Sequence, residues 1–156
     1  MEHSLIILTV CLVLYLAYVV KGGVPKSLSA TYYQLGNAGW LFQLLMLLLS
    51  FGLFPIWSEL SDDSWEFLCF LGCGGLLLVG ASPLFKLPLE SEVHHYSAYV
   101  CGASIILWQI LEGLWDWVLL SAVICLVGYI RYGKLTWWAE CMLMLSLVGN
   151  LFRMLY

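Results

Sequence analysis

The chain has 156 residues, of which 63% are hydrophobic and only 10% are charged. A soluble domain carries about 45–50% apolar and about 25% charged residues, and one of this length must turn much of its surface to water, so an ordinary soluble fold is excluded and lipid is the expected solvent. The net charge of −4 comes from few groups, and no basic run or helix face exists to follow a phosphate backbone, which argues against nucleic acid as a partner.

A membrane-crossing helix needs about 20 mostly apolar residues. Six stretches meet or approach this: residues 4–20, 39–57, 65–84, 96–111, 115–130 and 136–155. The first has the position of a secretory leader. However, Glu2 precedes its apolar run, and Tyr18-Val19-Val20-Lys21 follows where small residues would mark a cleavage site, so it is expected to be a retained span. Pro55 falls near the end of the second and Pro83 closes the third. The fourth and fifth are short and joined by Glu112-Gly113-Leu114, which predicts a helical hairpin. The runs are continuously apolar, as in Leu44 to Leu49. A membrane barrel would alternate apolar and polar positions, whereas helices satisfy their own backbone groups in lipid. The expected fold is therefore all-α: a polytopic integral membrane protein, one domain over residues 1–156, built as a six-helix transmembrane bundle.

Basic residues set the expected orientation. Lys21 and Lys26 lie between the first two spans, Lys86 between the third and fourth, and Arg131 and Lys134 between the last two, while the acidic group Glu59, Asp62, Asp63 and Glu66 lies on the opposite side. The positive-inside rule then places loops 21–38, 85–95 and 131–135 in the cytoplasm and both termini outside. Trp40, Trp57, Trp65, Trp115, Trp117, Trp137 and Trp138 fall near span ends, where indole favours the interface, and Trp108 lies deeper. Gly72, Gly74, Gly75 and Gly80 in the third span, with Ala98 and Gly102 in the fourth, predict close and central packing of those two helices.

Polar groups inside the apolar runs are few. Gln43, Gln109 and Asn150 are expected to bond neighbouring helices. Glu140 lies one turn into the last span, at the level of Lys21, Lys26 and Arg131, with any of which an ion pair is expected. The six cysteines all lie in apolar stretches and read as small buried hydrophobes. His94 and His95 open the fourth span, and on a helix their side chains diverge by about 100°, so one faces the bundle and the other the headgroups.

The longest interruption, residues 24–37, holds Pro25, Ser27, Ser29, Thr31, Tyr32, Tyr33 and Gly36. Its serines are expected to cap the start of a short interfacial helix. The topology puts this loop, the two histidines and Glu140 on one side, so Ser27, Ser29, Tyr32, Tyr33, His94, His95 and Glu140 form the candidate ligand site. Three uses compete for it: a metal site, an anion or lipid-phosphate site, and a plain capped helix start. No two histidines stand at i and i+4 and no H-E-x-x-H motif occurs, so no metal or cofactor is expected. No G-x-S-x-G elbow marks a nucleophile.

The segments Val24-Pro25-Lys26-Ser27-Leu28-Ser29-Ala30-Thr31-Tyr32-Tyr33, Gly39-Trp40-Leu41-Phe42-Gln43, Gly80-Ala81-Ser82-Pro83 and Val93-His94-His95-Tyr96-Ser97-Ala98 resemble a group of small polytopic membrane proteins of gut bacteria and their phages, over roughly residues 20–110. The resemblance implies a multi-pass bacterial inner-membrane protein and brings no activity with it. The expected role is non-enzymatic: binding or sensing a lipid or small ligand, or supporting a membrane partner or a second copy of the chain. The alternatives are a small lipid-modifying hydrolase using His94 and a carboxylate, and a small transporter.

Overall fold

The computed structural model describes residues 1–156. The chain is all-helical: α1 (Glu2–Val20), the single turn α2 (Thr31–Gln34), a 3₁₀ turn (Gly36–Ala38), α3 (Trp40–Leu60), α4 (Glu66–Ala81), α5 (Pro88–Leu111), α6 (Trp115–Tyr132) and α7 (Leu135–Leu155). Four helical stretches are long and apolar enough to cross a membrane: Glu2–Val20, Gly36–Leu60, Trp115–Tyr132 and Leu135–Leu155. Of the other two predicted stretches, α4 is apolar but only 16 residues long. Helix α5 runs for 24 residues, and its first turns carry Glu90, Glu92, His94 and His95.

Helix α5 starts at Pro88, about two turns ahead of the predicted residue 96. Proline suits a first helical position because its missing N–H has no intrahelical partner there. His94 thus sits inside a formed helix rather than at its frayed start. Helix α3 continues through Pro55 to Leu60, past the predicted end at residue 57.

Packing follows stripes and sockets. Leu5, Leu8, Leu12, Tyr15 and Val19 form the buried stripe of α1, at the three- and four-residue steps of a helix face. Leu8 covers Gly52 of α3, where a Cβ would stand 2.7 Å from its side chain. Helices α4 and α5 approach through Gly75, whose missing Cβ would lie 2.7 Å from the Ser97 carbonyl oxygen. Their close packing is as predicted, and α5 also touches α6 and α7. Helix α4 packs on α3 and α5, whereas α7 touches α1, α3, α5 and α6 and closes the bundle. Helix α6 lies outermost with Gly128 its one buried residue, and it packs mainly on α7. The ring of Trp138 fills the Gly128 socket and Trp117 covers Gly149. The tight link at Gly113, with φ of 74°, is present, but these sockets draw α6 to α7 rather than into a close hairpin with α5.

Hydrogen bonds between helices come from the predicted polar residues and from serines. Gln43 Nε2 donates to the Gly80 carbonyl at 3.3 Å and Gln109 Nε2 to Ser146 Oγ at 3.0 Å. Ser50 Oγ donates to the Cys73 carbonyl at 2.8 Å. Asn150 departs from expectation: it is 0% exposed and both its amide atoms lack a partner. Trp57 departs as well. Its ring turns inward, fully buried, and meets Trp108 edge-on with centroids 5.3 Å apart, because the Gly72 socket receives it.

The two ends of the bundle are distinct. At one end the Lys134 ammonium donates to the Val24 carbonyl, and the Lys86 N–H donates to Tyr33 Oη at 3.2 Å. The loops after α1, α4 and α6 therefore meet there. At the other end the Asp62 N–H donates to Glu112 Oε1 at 2.9 Å and Arg153 pairs with Asp116 at 2.7 Å. That is the grouping of loops predicted from the charges.

Candidate functional site

The site begins with the loop that follows α1. Gly23, with φ of 95°, turns the chain in a conformation that disfavours L side chains. Ser27 Oγ accepts the Ala30 N–H at 3.0 Å, the capping role expected of it. Thr31 Oγ1 donates to the Leu28 carbonyl at 2.6 Å and bonds the Tyr15 hydroxyl of α1. The loop is thus tied to its own helix from inside, at a buried pair that the sequence reading did not single out.

Ser29 does not cap. Its Oγ lies 2.9 Å from Nε2 of His94, while His94 Nδ1 lies 2.9 Å from the Ser82 carbonyl oxygen. A carbonyl can only accept, so Nδ1 carries the proton. Nε2 of the neutral ring is then the acceptor, and Ser29 donates its hydroxyl hydrogen to it. Ser29 and His94 are 6% and 3% exposed. Phe85 lies against the imidazole, with ring centroids 4.9 Å apart. His94 stands ahead of the predicted crossing at residues 96–111; burial lowers its pKa below the usual histidine value of 6.5, against the Ser82 hydrogen bond, which raises it. The ring is therefore neutral at pH 7.

Glu140 enters from α7. Its Oε2 accepts the Leu28 N–H at 2.5 Å, and the Ser29 N–H faces the same carboxylate. The expected ion pair with Lys21, Lys26 or Arg131 does not form: the one ion pair of the chain joins Arg153 to Asp116. The reason is that backbone donors of the first loop reach the carboxylate before any flexible surface cation, and Lys134 instead bonds the Val24 carbonyl.

Two cavities meet here. A polar mouth of about 280 Å³ is lined by Ser27, Ser29, His94, His95, Thr136 and Glu140, among others. Adjoining it, a partly open apolar cavity of about 60 Å³ is lined by Phe42, Met46, Leu76, Val79, Cys101 and Met144, among others. Ser29, Ala98 and Glu140 line both. The inner volume has room for a few small groups.

The structure thus brings Ser27, Ser29, His94, His95 and Glu140 to one mouth. His95 is exposed and bonds the Ser91 carbonyl one turn back, at 2.6 Å, so the predicted divergence of the two histidines is observed. Tyr32 and Tyr33 do not line the mouth. Tyr32 packs edge-on against Tyr33, at 5.4 Å between centroids, and Tyr33 braces the next loop, with the Lys86 ammonium 4.2 Å from its ring centroid. Sequence reasoning missed Ser82, Phe85, Ala98 and Thr136. Ser82 acts through its backbone, which leaves no side-chain signal, and the small size of Ala98 was read as helix packing alone. No group of three or more His, Cys, Asp or Glu side chains is arranged to hold a metal ion. The chain matches no protein-family model, no curated protein and no solved structure.

Proposed function

We propose that the chain is a six-span integral membrane protein that binds an amphiphile, with its apolar end in the inner cavity and its polar end at the mouth. The observation that carries this is the shared lining: Ser29, Ala98 and Glu140 belong both to a mouth of hydroxyls, imidazoles and a carboxylate and to an apolar cavity adjoining it. Ligand sites typically combine an apolar enclosure with a few placed polar groups. Six spans are supported by the way the loops divide between two ends of the bundle, which requires α4 and α5 to run from one end to the other. A lipid environment is supported by α6, where Leu119, Leu120, Val123, Leu126, Val127 and Ile130 are all exposed; burying each such side chain is worth about 1.5–3 kcal/mol. The loops carrying Lys26, Lys86 and Lys134 face the cytoplasm on the positive-inside rule. A bacterial inner membrane follows the resemblance of residues 20–110.

Ala98 lines both volumes, so Ala98→Leu, which puts a larger side chain where they adjoin, tests the reading. Purified chain in detergent should bind radiolabelled butyrate, a four-carbon fatty acid, and Ala98→Leu should weaken that binding about tenfold or more, the effect of about 1.4 kcal/mol. Equal affinity in the two proteins overturns the proposal.

A further inference from the structure

We propose that Ser29 is a nucleophile with His94 as its general base, and that the site cleaves a carboxylic ester whose acyl group enters the inner cavity; this rests on the amphiphile-binding reading above. The sequence carries no nucleophile motif, and the arrangement is visible only in three dimensions. Ser29 Oγ, His94 Nε2, His94 Nδ1 and the Ser82 carbonyl form one line of two 2.9 Å hydrogen bonds. That is the order of nucleophile, base and orienting group by which a serine hydroxyl is activated. The Ser82 carbonyl fixes the tautomer in which Nε2 can take a proton, and Phe85 holds the ring from one side. Glu140 is a positioning residue: its carboxylate holds the Leu28 N–H and so sets where Ser29 points.

The cavities decide which part of an ester goes where. The apolar volume begins at Ser29 and takes an acyl chain of a few carbons. The mouth, with Ser27, His95 and Thr136, takes the alcohol. Ser29 Oγ attacks the ester carbonyl carbon as its proton passes to Nε2. The bond to the alcohol oxygen breaks, and the alcohol leaves with that proton. An acyl ester on Ser29 remains. Water then attacks it, giving its proton to Nε2; the carboxylic acid departs and Ser29 recovers its proton. Ester and water become acid and alcohol, with no other reactant. Burial keeps His94 neutral at pH 7, as a base must be.

The test uses the purified full chain in micelles with three probes: an alkyl fluorophosphonate, 4-nitrophenyl butyrate and the radiolabelled four-carbon fatty acid. The phosphonate should add once, at the peptide holding Ser29, and butyrate release should fall about 10²–10⁴-fold in His94→Gln, the usual contribution of a general base. The wild-type rate should rise with pH through a midpoint below the usual histidine value and then level off, since burial lowers the His94 pKa. Ser29→Ala should abolish both reactions while keeping the wild-type helical circular dichroism and a single gel-filtration peak in detergent, which report that the variant is folded. Tributyrin in micelles compared with the soluble butyrate distinguishes a lipid ester from a water-borne one, and turnover of either supports the chemistry. Fatty-acid binding with no adduct at Ser29 overturns this proposal and leaves the binding reading standing. Loss of binding as well overturns both.

Discussion

His94 is held from both sides, and that is what separates it from the other polar residues of the bundle. One nitrogen reaches the Ser82 carbonyl after α4, the other the Ser29 hydroxyl in the loop after α1, so a single imidazole joins three parts of the chain. Asn150 is the opposite case, buried with its amide unpaired. An unsatisfied buried polar group costs about 1–3 kcal/mol. Asn150→Leu, close in volume, should therefore raise stability by about 1–3 kcal/mol in thermal unfolding of the detergent-solubilised chain. A lower midpoint would overturn this and mean that the amide has a partner in the folded chain. Of the site residues, His94 and Glu140 were legible because ionisable groups near apolar runs are costly and few. Ser29 was legible as a polar loop residue but not as the partner of His94, since the two stand 65 positions apart.

At the scale of elements, glycines decide which helices touch. Gly75 lets α4 and α5 approach until a methyl group would collide with the Ser97 backbone oxygen and the Cys101 side chain, at 2.7 and 3.0 Å. Backbone cannot move aside as a flexible side chain can. Gly75→Ala should cost about 1–3 kcal/mol by overpacking, read as a lower midpoint in the same unfolding assay, and Gly74→Ala, with nothing within 4 Å of its Cβ, should be neutral by comparison. Equal effects would show that helix propensity, not packing, governs both. The sequence made the α4–α5 approach visible as a cluster of glycines. It did not show that α7 would become the hub, because the sockets at Gly128 and Gly149 work only once Trp138 and Trp117 are brought over them.

For the whole molecule, the division of loops between two ends predicts an accessibility pattern. In a cysteine-free background, single cysteines replacing Lys26, Lys86 or Lys134 should react with a membrane-impermeant maleimide only after cells are permeabilised. One replacing Asp63 should react in intact cells. Labelling of all four from one side would overturn the six-span threading, and a reversed pattern would invert the orientation while keeping the threading.

Composition pointed to apolar helices, because continuous apolar runs in lipid leave the backbone no other partner than itself, and the chain is all-helical with four helices long and apolar enough to cross a membrane. The positions of all six long helices followed from those runs, to within a few residues except at the start of α5, where Pro88 rather than hydropathy sets the boundary. Charge placement grouped the loops correctly by end. Tertiary structure decided the rest. It turned Trp57 inward, gave Glu140 backbone donors in place of a cation, and set Ser29 against His94 over an apolar cavity. The physical reason is range: hydropathy and charge act on each segment separately, whereas a hydrogen bond of 2.9 Å between distant residues exists only after every helix between them has found its neighbour.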